Sequence, residues 1–220
     1  MVGNRRKGLN KEIILDNATM LFCSKGYENT GIRDIAYICN CKPGNIYHYF
    51  NSKEDILFEV LMNEIENVIQ KVRHLKDDNE EEPASQLRYF INSTLYTILS
   101  GPSPSTLGYM VARRLSQTHQ ESYNKARNEY EAVLYRILQR GIDIGCFDIT
   151  DVRVVSYNIF GIIFITRFWY YPNGRLSIDQ VVDYTWKFCL NAMNYKELAS
   201  PDRHSKEKKV KVVEVYSVRG

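Results

Sequence analysis

The sequence lacks the residue patterns that most enzymes are built on. Its four histidines, His48, His74, His119 and His204, are scattered, with no second ligand at useful spacing. There is no Gly-x-Ser-x-Gly elbow, no His-Glu-x-x-His, no Gly-x-Gly-x-x-Gly and no P-loop, so hydrolase, zincin, dinucleotide and nucleotide-phosphate chemistry have no foothold. Five cysteines, Cys23, Cys39, Cys41, Cys146 and Cys189, form an odd set without C-x-x-C spacing, and no secretory n-region and h-region precede them. That pattern predicts reduced thiols in a cytoplasm rather than a disulfide framework. Cys39 and Cys41 are too close to hold zinc alone. They are expected as small buried apolar residues, with redox sensing as the alternative.

Strong charge of either sign is also missing. The formal charge is only +3, but residues 1–53 sum to +4, residues 54–195 to −4 and residues 196–220 to +3. A basic N-terminal part suits a polyanionic partner, and an acidic middle does not. Long apolar runs are rare, and the most apolar stretch is Val152 to Tyr171. Ser156, Asn158, Thr166 and Arg167 interrupt it, which argues against a membrane span and for a helix buried on every side, its outer face against a partner subunit.

At 220 residues the chain is ample for one or two domains, and its apolar spacing is helical almost throughout. Asn10 caps a first helix that ends at Gly26. Thr30 is expected to cap a second, with Ile32, Ile35, Ala36 and Cys39 on one stripe. Asn40 suits the left-handed turn that ends it, and Pro43 the first position of a third helix reaching Tyr49. Ser52 with Asp55 opens a long fourth helix, and further helices are expected over Pro83–Ser100, Ser105–Ser116, Gln120–Gly141, Val152–Tyr171 and from Ser177. The expectation is an all-α chain: a helix-turn-helix domain over 1–53, a ligand-binding and dimerisation domain over 54–199, and a basic tail of unknown role over 200–220.

Two short helices joined by a tight turn, the second opening at Pro43-Gly44, form the motif that fits a major groove. Lys42, Pro43, Asn45 and His48 lie nearest the base edges in this reading, Gly44 lets the backbone approach phosphates, and Thr30, Tyr47, Tyr49 and Lys53 position the chain on the DNA backbone. Arg33 suits either role, and an inward core position is open for Tyr49. Arg5, Arg6 and Lys7 form a basic arm that could lie along phosphates or enter the minor groove, or simply remain solvated.

Ile35-Ala36, then Cys39-Asn40-Cys41-Lys42-Pro43-Gly44-Asn45-Ile46-Tyr47-His48-Tyr49-Phe50, then Lys53-Glu54-Asp55-Ile56-Leu57, resemble the TetR/AcrR family of one-component repressors. The family pattern has Ala, Gly, Val and Ser where this chain has Cys39, Asn40, Cys41 and Lys42. The first three keep size or turn capacity. Lys42 gives up a capping hydroxyl and adds a charge.

The resemblance implies a cytoplasmic regulator, without a cofactor or metal, that dimerises through the last two helices of the body. Two heads would then read half-sites about 34–36 Å apart on a palindromic operator. It also implies a small-molecule effector in the body. Candidates for its lining are Phe90, Tyr96, Met110, Tyr130, Phe160, Phe164 and Trp169. The segment 167–177, Arg-Phe-Trp-Tyr-Tyr-Pro-Asn-Gly-Arg-Leu-Ser, is similar to members that respond to acyl-CoA thioesters, in which case Arg113 and Arg114 could meet the ligand's phosphates. A purely structural body with no effector is the competing expectation.

Overall fold

Local signals in the chain set most of the helix ends. The computed structural model describes residues 9–77, 80–103 and 111–197, and among these every regular element is helical. Asn10 accepts the Ile13 N–H at 2.8 Å and opens α1 (Lys11–Lys25), which Gly26 ends at φ 84°. The next helix, α2 (Ile32–Ile38), is capped by Gly31 rather than Thr30, its N–H donating to the Asp34 carboxylate at 2.7 Å. Asn40 takes φ 51°, so the turn closes with Cys41 N–H on the Ala36 carbonyl at 2.9 Å, and Pro43 then begins α3 (Pro43–Tyr47). Ser52 accepts the Asp55 N–H at 3.0 Å at the head of α4 (Lys53–Val72), which runs on as a 3-10 turn over Arg73–Lys76.

The body adds α5 (Pro83–Leu99), a 3-10 turn at Ala112–Arg114, α6 (Gln117–Asp143), α7 (Val152–Trp169) and α8 (Ile178–Ala192). Helix α6 starts three residues earlier than its apolar pattern predicts. The first half of the expected helix over 105–116 lies outside the described residues, as does the tail from 198.

Two apolar clusters result. The first joins α1, α2 and α3 to Ile56, Leu57, Val60 and Leu61 of α4 and takes in Leu115 and Tyr123 from the body; the second holds Val68, Ile69 and Val72 of α4 with α5 to α8. The expected boundary at residue 53 is the first residue of α4, but the clusters divide further along, near Ile65, which packs against both. One stiff helix is therefore built into two cores.

In this single chain one stripe of α7, Ser156, Ile159, Phe160, Ile163 and Thr166, is buried, and the rest of its apolar surface is left uncovered. The two inward hydroxyls cost little, because Ser156 donates to the Val152 carbonyl at 2.7 Å and Thr166 to that of Ile162 at 2.9 Å. The outward stripe carries Val154, Tyr157, Ile165 and Phe168. Among the described residues α7 is the one helix long and apolar enough to cross a membrane by length and composition.

Candidate nucleic-acid interface

Ile46 and Phe50 are buried and pin α3 to the head from beneath. Everything else at this corner, Lys42, Pro43, Gly44, Asn45, Tyr47, His48 and Tyr49, is exposed. Arg33 is exposed on α2, and so is Tyr37 one turn later, the most open large side chain of the head at 85%. Sequence reasoning passed over Tyr37, although its i+4 spacing from Arg33 puts the two on one face. A Cβ built on Gly44 would have no atom within 4 Å. Nothing inside the chain therefore requires glycine at the start of this helix.

Three expected backbone contacts are placed differently. Thr30 is 1% exposed, and its hydroxyl donates to the Gly26 carbonyl at 2.8 Å, so it closes the loop after α1 and does not face outward. Lys53 donates to the carbonyls of Tyr27 (3.0 Å) and Thr30 (3.1 Å) with its ammonium 4.0 Å from the Tyr27 ring centre. Its ammonium thus rests on the head's own backbone carbonyls. Tyr49 stays at the surface but donates its hydroxyl to the Leu9 carbonyl at 2.8 Å, tying α3 to the start of α1. Arg5, Arg6 and Lys7 lie outside the described residues.

In the body, a small, partly open space of about 30 Å³ lies between α4, α5, α6 and α7, lined by Leu61, Glu64, Ile65, Val68, Thr94, Ile98, Tyr123, Arg127, Tyr130 and Phe164. Of the expected lining, Tyr130 and Phe164 border it. Phe90 and Phe160 stand behind as solid core, the Phe90 ring stacked on Tyr130 at 5.1 Å and the Phe160 ring 5.5 Å from it. The Thr94 hydroxyl donates to the Phe90 carbonyl at 2.9 Å, and with that proton used, the Tyr130 hydroxyl 2.7 Å away is the donor to Thr94.

Tyr96 is not in the lining; it points outward and donates to Asp179 at 2.8 Å, and Trp169 is exposed at the end of α7. Arg113 is exposed, and Arg114 reaches to Glu28 of the head at 3.0 Å, so neither meets the aromatic set. Met110 lies outside the described residues. The cation at the cavity is Arg127, 3.2 Å from Glu131, whose carboxyl is pushed up by burial with Arg127 opposing. Its signal was available: Tyr123, Arg127 and Tyr130 fall at i, i+4 and i+7 on α6, as Leu61, Ile65 and Val68 do on α4.

On the far side of the body, α7 and α8 frame an open apolar groove of about 680 Å³ bounded by Tyr157, Gly161, Ile162, Ile165 and Phe188. Phe168 (65% exposed) and Phe188 (59%) stand out of this surface. Exposed apolar side chains of α7 and α8 thus gather on and around this groove, the kind of surface that marks an interaction site.

Comparison with known proteins agrees with this layout. Residues 14–60 match the model for bacterial regulatory proteins of the tetR family, and residues 80–193 match the tetracyclin repressor-like C-terminal domain. The HTH-type transcriptional repressor KstR2 of Mycolicibacterium smegmatis is 28% identical over 174 residues, 78% of this chain and 84% of that protein. The structure of the ketosteroid regulator KstR2 of Mycobacterium tuberculosis superposes with a TM-score of 0.76 at 25% identity, covering 86% of this chain and 97% of the other. That of AibR in complex with isovaleryl coenzyme A and operator DNA gives 0.71 at 21%, covering 80% and 96%, a likeness of fold. With a family model spanning more than half its length, this chain belongs to the tetR family of bacterial regulatory proteins.

Proposed function

We propose that the chain is a transcriptional repressor that grips a palindromic operator as a homodimer and lets go when a small, largely apolar effector enters the body. The observation that carries the DNA-binding part is the ring of exposed polar and aromatic side chains around the buried Ile46 and Phe50 anchors. Asn45 and Lys42 read base edges, bidentate contacts being worth about 1–3 kcal/mol each, while Tyr47, Arg33 and Tyr37 rest on the sugar-phosphate backbone. An open Gly44 at the start of α3 suits close approach by a phosphate.

The second copy packs on the α7–α8 face, where two-fold symmetry lets the same aromatic surface cover itself. The effector enters between α4 and α6. The present space of about 30 Å³ is too small for an acyl chain. An effector must therefore widen it, and of the helices that line it α6 packs on α4, which is shared with the head. An acyl-CoA is the favoured class, on the isovaleryl coenzyme A bound by AibR and on the resemblance of segment 167–177. The small cavity itself favours one alternative, a structural body with no effector.

Selection of a duplex from a random pool tests the whole reading. The wild-type chain should recover a palindrome with half-sites one helical turn apart, and Asn45→Ala should bind it with reduced discrimination at one position per half-site. Release of the selected duplex by a long-chain acyl-CoA separates the effector model from the structural one. Recovery of no preferred sequence contradicts operator recognition.

A further inference from the structure

Head and body meet at the first turn of α4, where contacts from both converge. Lys53 turns toward the head, holding the carbonyls of Tyr27 and Thr30 just ahead of the Gly31 cap of α2. Glu54, the next residue, turns toward the body. Its Oε1 accepts the Ser116 N–H at 2.7 Å and lies 2.8 Å from His119 Nδ1, so it fixes the N-terminus of α6. One turn along α4, Phe58 stacks on the His119 ring with centroids 4.0 Å apart and planes within 7°. The Ser116 N–H chiefly, with His119 adding, holds the Glu54 carboxyl below the usual carboxylate range.

We propose that Glu54 and His119 are the positioning residues through which displacement of α6 reaches the reading head, with Lys53 passing it to the loop 27–30. The inference rests on the regulator model above and adds the residues that would transmit its signal. Lys53 and Glu54 are adjacent on one stiff helix and grip opposite units, so the first turn of α4 cannot follow α6 without dragging the loop from which α2 departs. The same α6 carries Tyr123, Arg127 and Tyr130 along the cavity. Arg114 and Glu28 also bridge the units, but both are more than half exposed, and such pairs couple weakly. Glu54 and His119 are each under a third exposed, and the His119 ring also stacks on Phe58 of α4, so the linkage concentrates there.

Hydrogen exchange on the full chain without DNA decides it. His119→Ala alters the body side only, and it should accelerate exchange at residues 27–32 by about five-fold or more, the low end of typical coupling, as well as at 116–120. Glu54→Ala should do the same, and the double variant should add little to either single change, because both cut one link. Glu54→Gln, which keeps an acceptor for the Ser116 N–H, serves if the alanine variants fail to fold, and should accelerate both segments less. Acceleration confined to 116–120 overturns the proposal, since a merely local role predicts that. In a second arm, the duplex recovered by selection should slow exchange at 116–120 in the wild type. In the variants that remote protection should vanish while protection at 43–49 remains; its persistence would overturn the proposal. Failure to recover any duplex counts against the regulator model, and the DNA-free arm still decides the linkage.

Discussion

Single residues divide the head into parts that hold the fold and parts that face outward. Ile46, with no exposed surface, and Phe50 hold α3; Thr30 and Lys53 bind backbone carbonyls within the head. Gly44 is different, because a methyl group there would touch nothing in the chain. Gly44→Ala should leave the melting temperature unchanged or raise it, since alanine favours a helix by up to about 1 kcal/mol over glycine. If a phosphate approaches that backbone, the same substitution should weaken duplex binding. Thermal melts beside duplex titrations check this, and equal affinity with equal stability would remove the close approach. By residue type Thr30 and Lys53 suit outward phosphate contact. Where they point depends on how the carbonyls of residues 21–30 are aimed by the packing of Tyr27 and Phe22, which no local pattern carries.

Helices were predicted best where the signal is short-range. Asn10, Ser52 and Ser177 each accept the N–H three residues on, Asn40 takes its left-handed turn, and Pro43 opens α3, all from chemistry within four residues. What a helix faces was harder to read. Three arginines, Arg113, Arg114 and Arg127, carry the same charge, and only the packing of α6 against α4 sends Arg127 to the cavity and Arg114 to Glu28.

Element packing makes two further predictions. A Cβ on Gly141 would stand 2.0 Å from the Phe147 ring, which is buried over the end of α6. Gly141→Ala should therefore cost about 1–3 kcal/mol in denaturant unfolding, against the gain that alanine brings in an unobstructed helix. Acid should loosen the head and its junction with the body first. The Gly31 N–H, with Lys25, holds the Asp34 carboxyl low, and the Ser116 N–H does so for Glu54, so each contributes stability above the ordinary carboxylate range that is lost as pH falls through it. Glu131 in the body is pushed up by burial, so its protonation relieves the fold. Amide exchange followed below about pH 4 should show α2 and the start of α6 opening before α8.

The molecule as a whole is organised by two surfaces and one shared helix. Helix α7 turns its hydroxyls and Phe160 inward and Tyr157, Phe168 and Trp169 outward, which leaves exposed the apolar face proposed above to meet a second copy. The sequence shows α7 as apolar all round, but it cannot say which half belongs to the chain's own core. Helix α4 enters both apolar clusters, so in the proposed mechanism an effector in the body would act on the head through it.

The central claim is that two symmetric copies present α3 to duplex DNA. Its most direct test is the mass of the complex on the selected palindrome, measured across a salt series. Two chains per duplex, with affinity falling steeply and linearly in log salt, is the predicted result. A monomeric chain indifferent to duplexes at low ionic strength would contradict it.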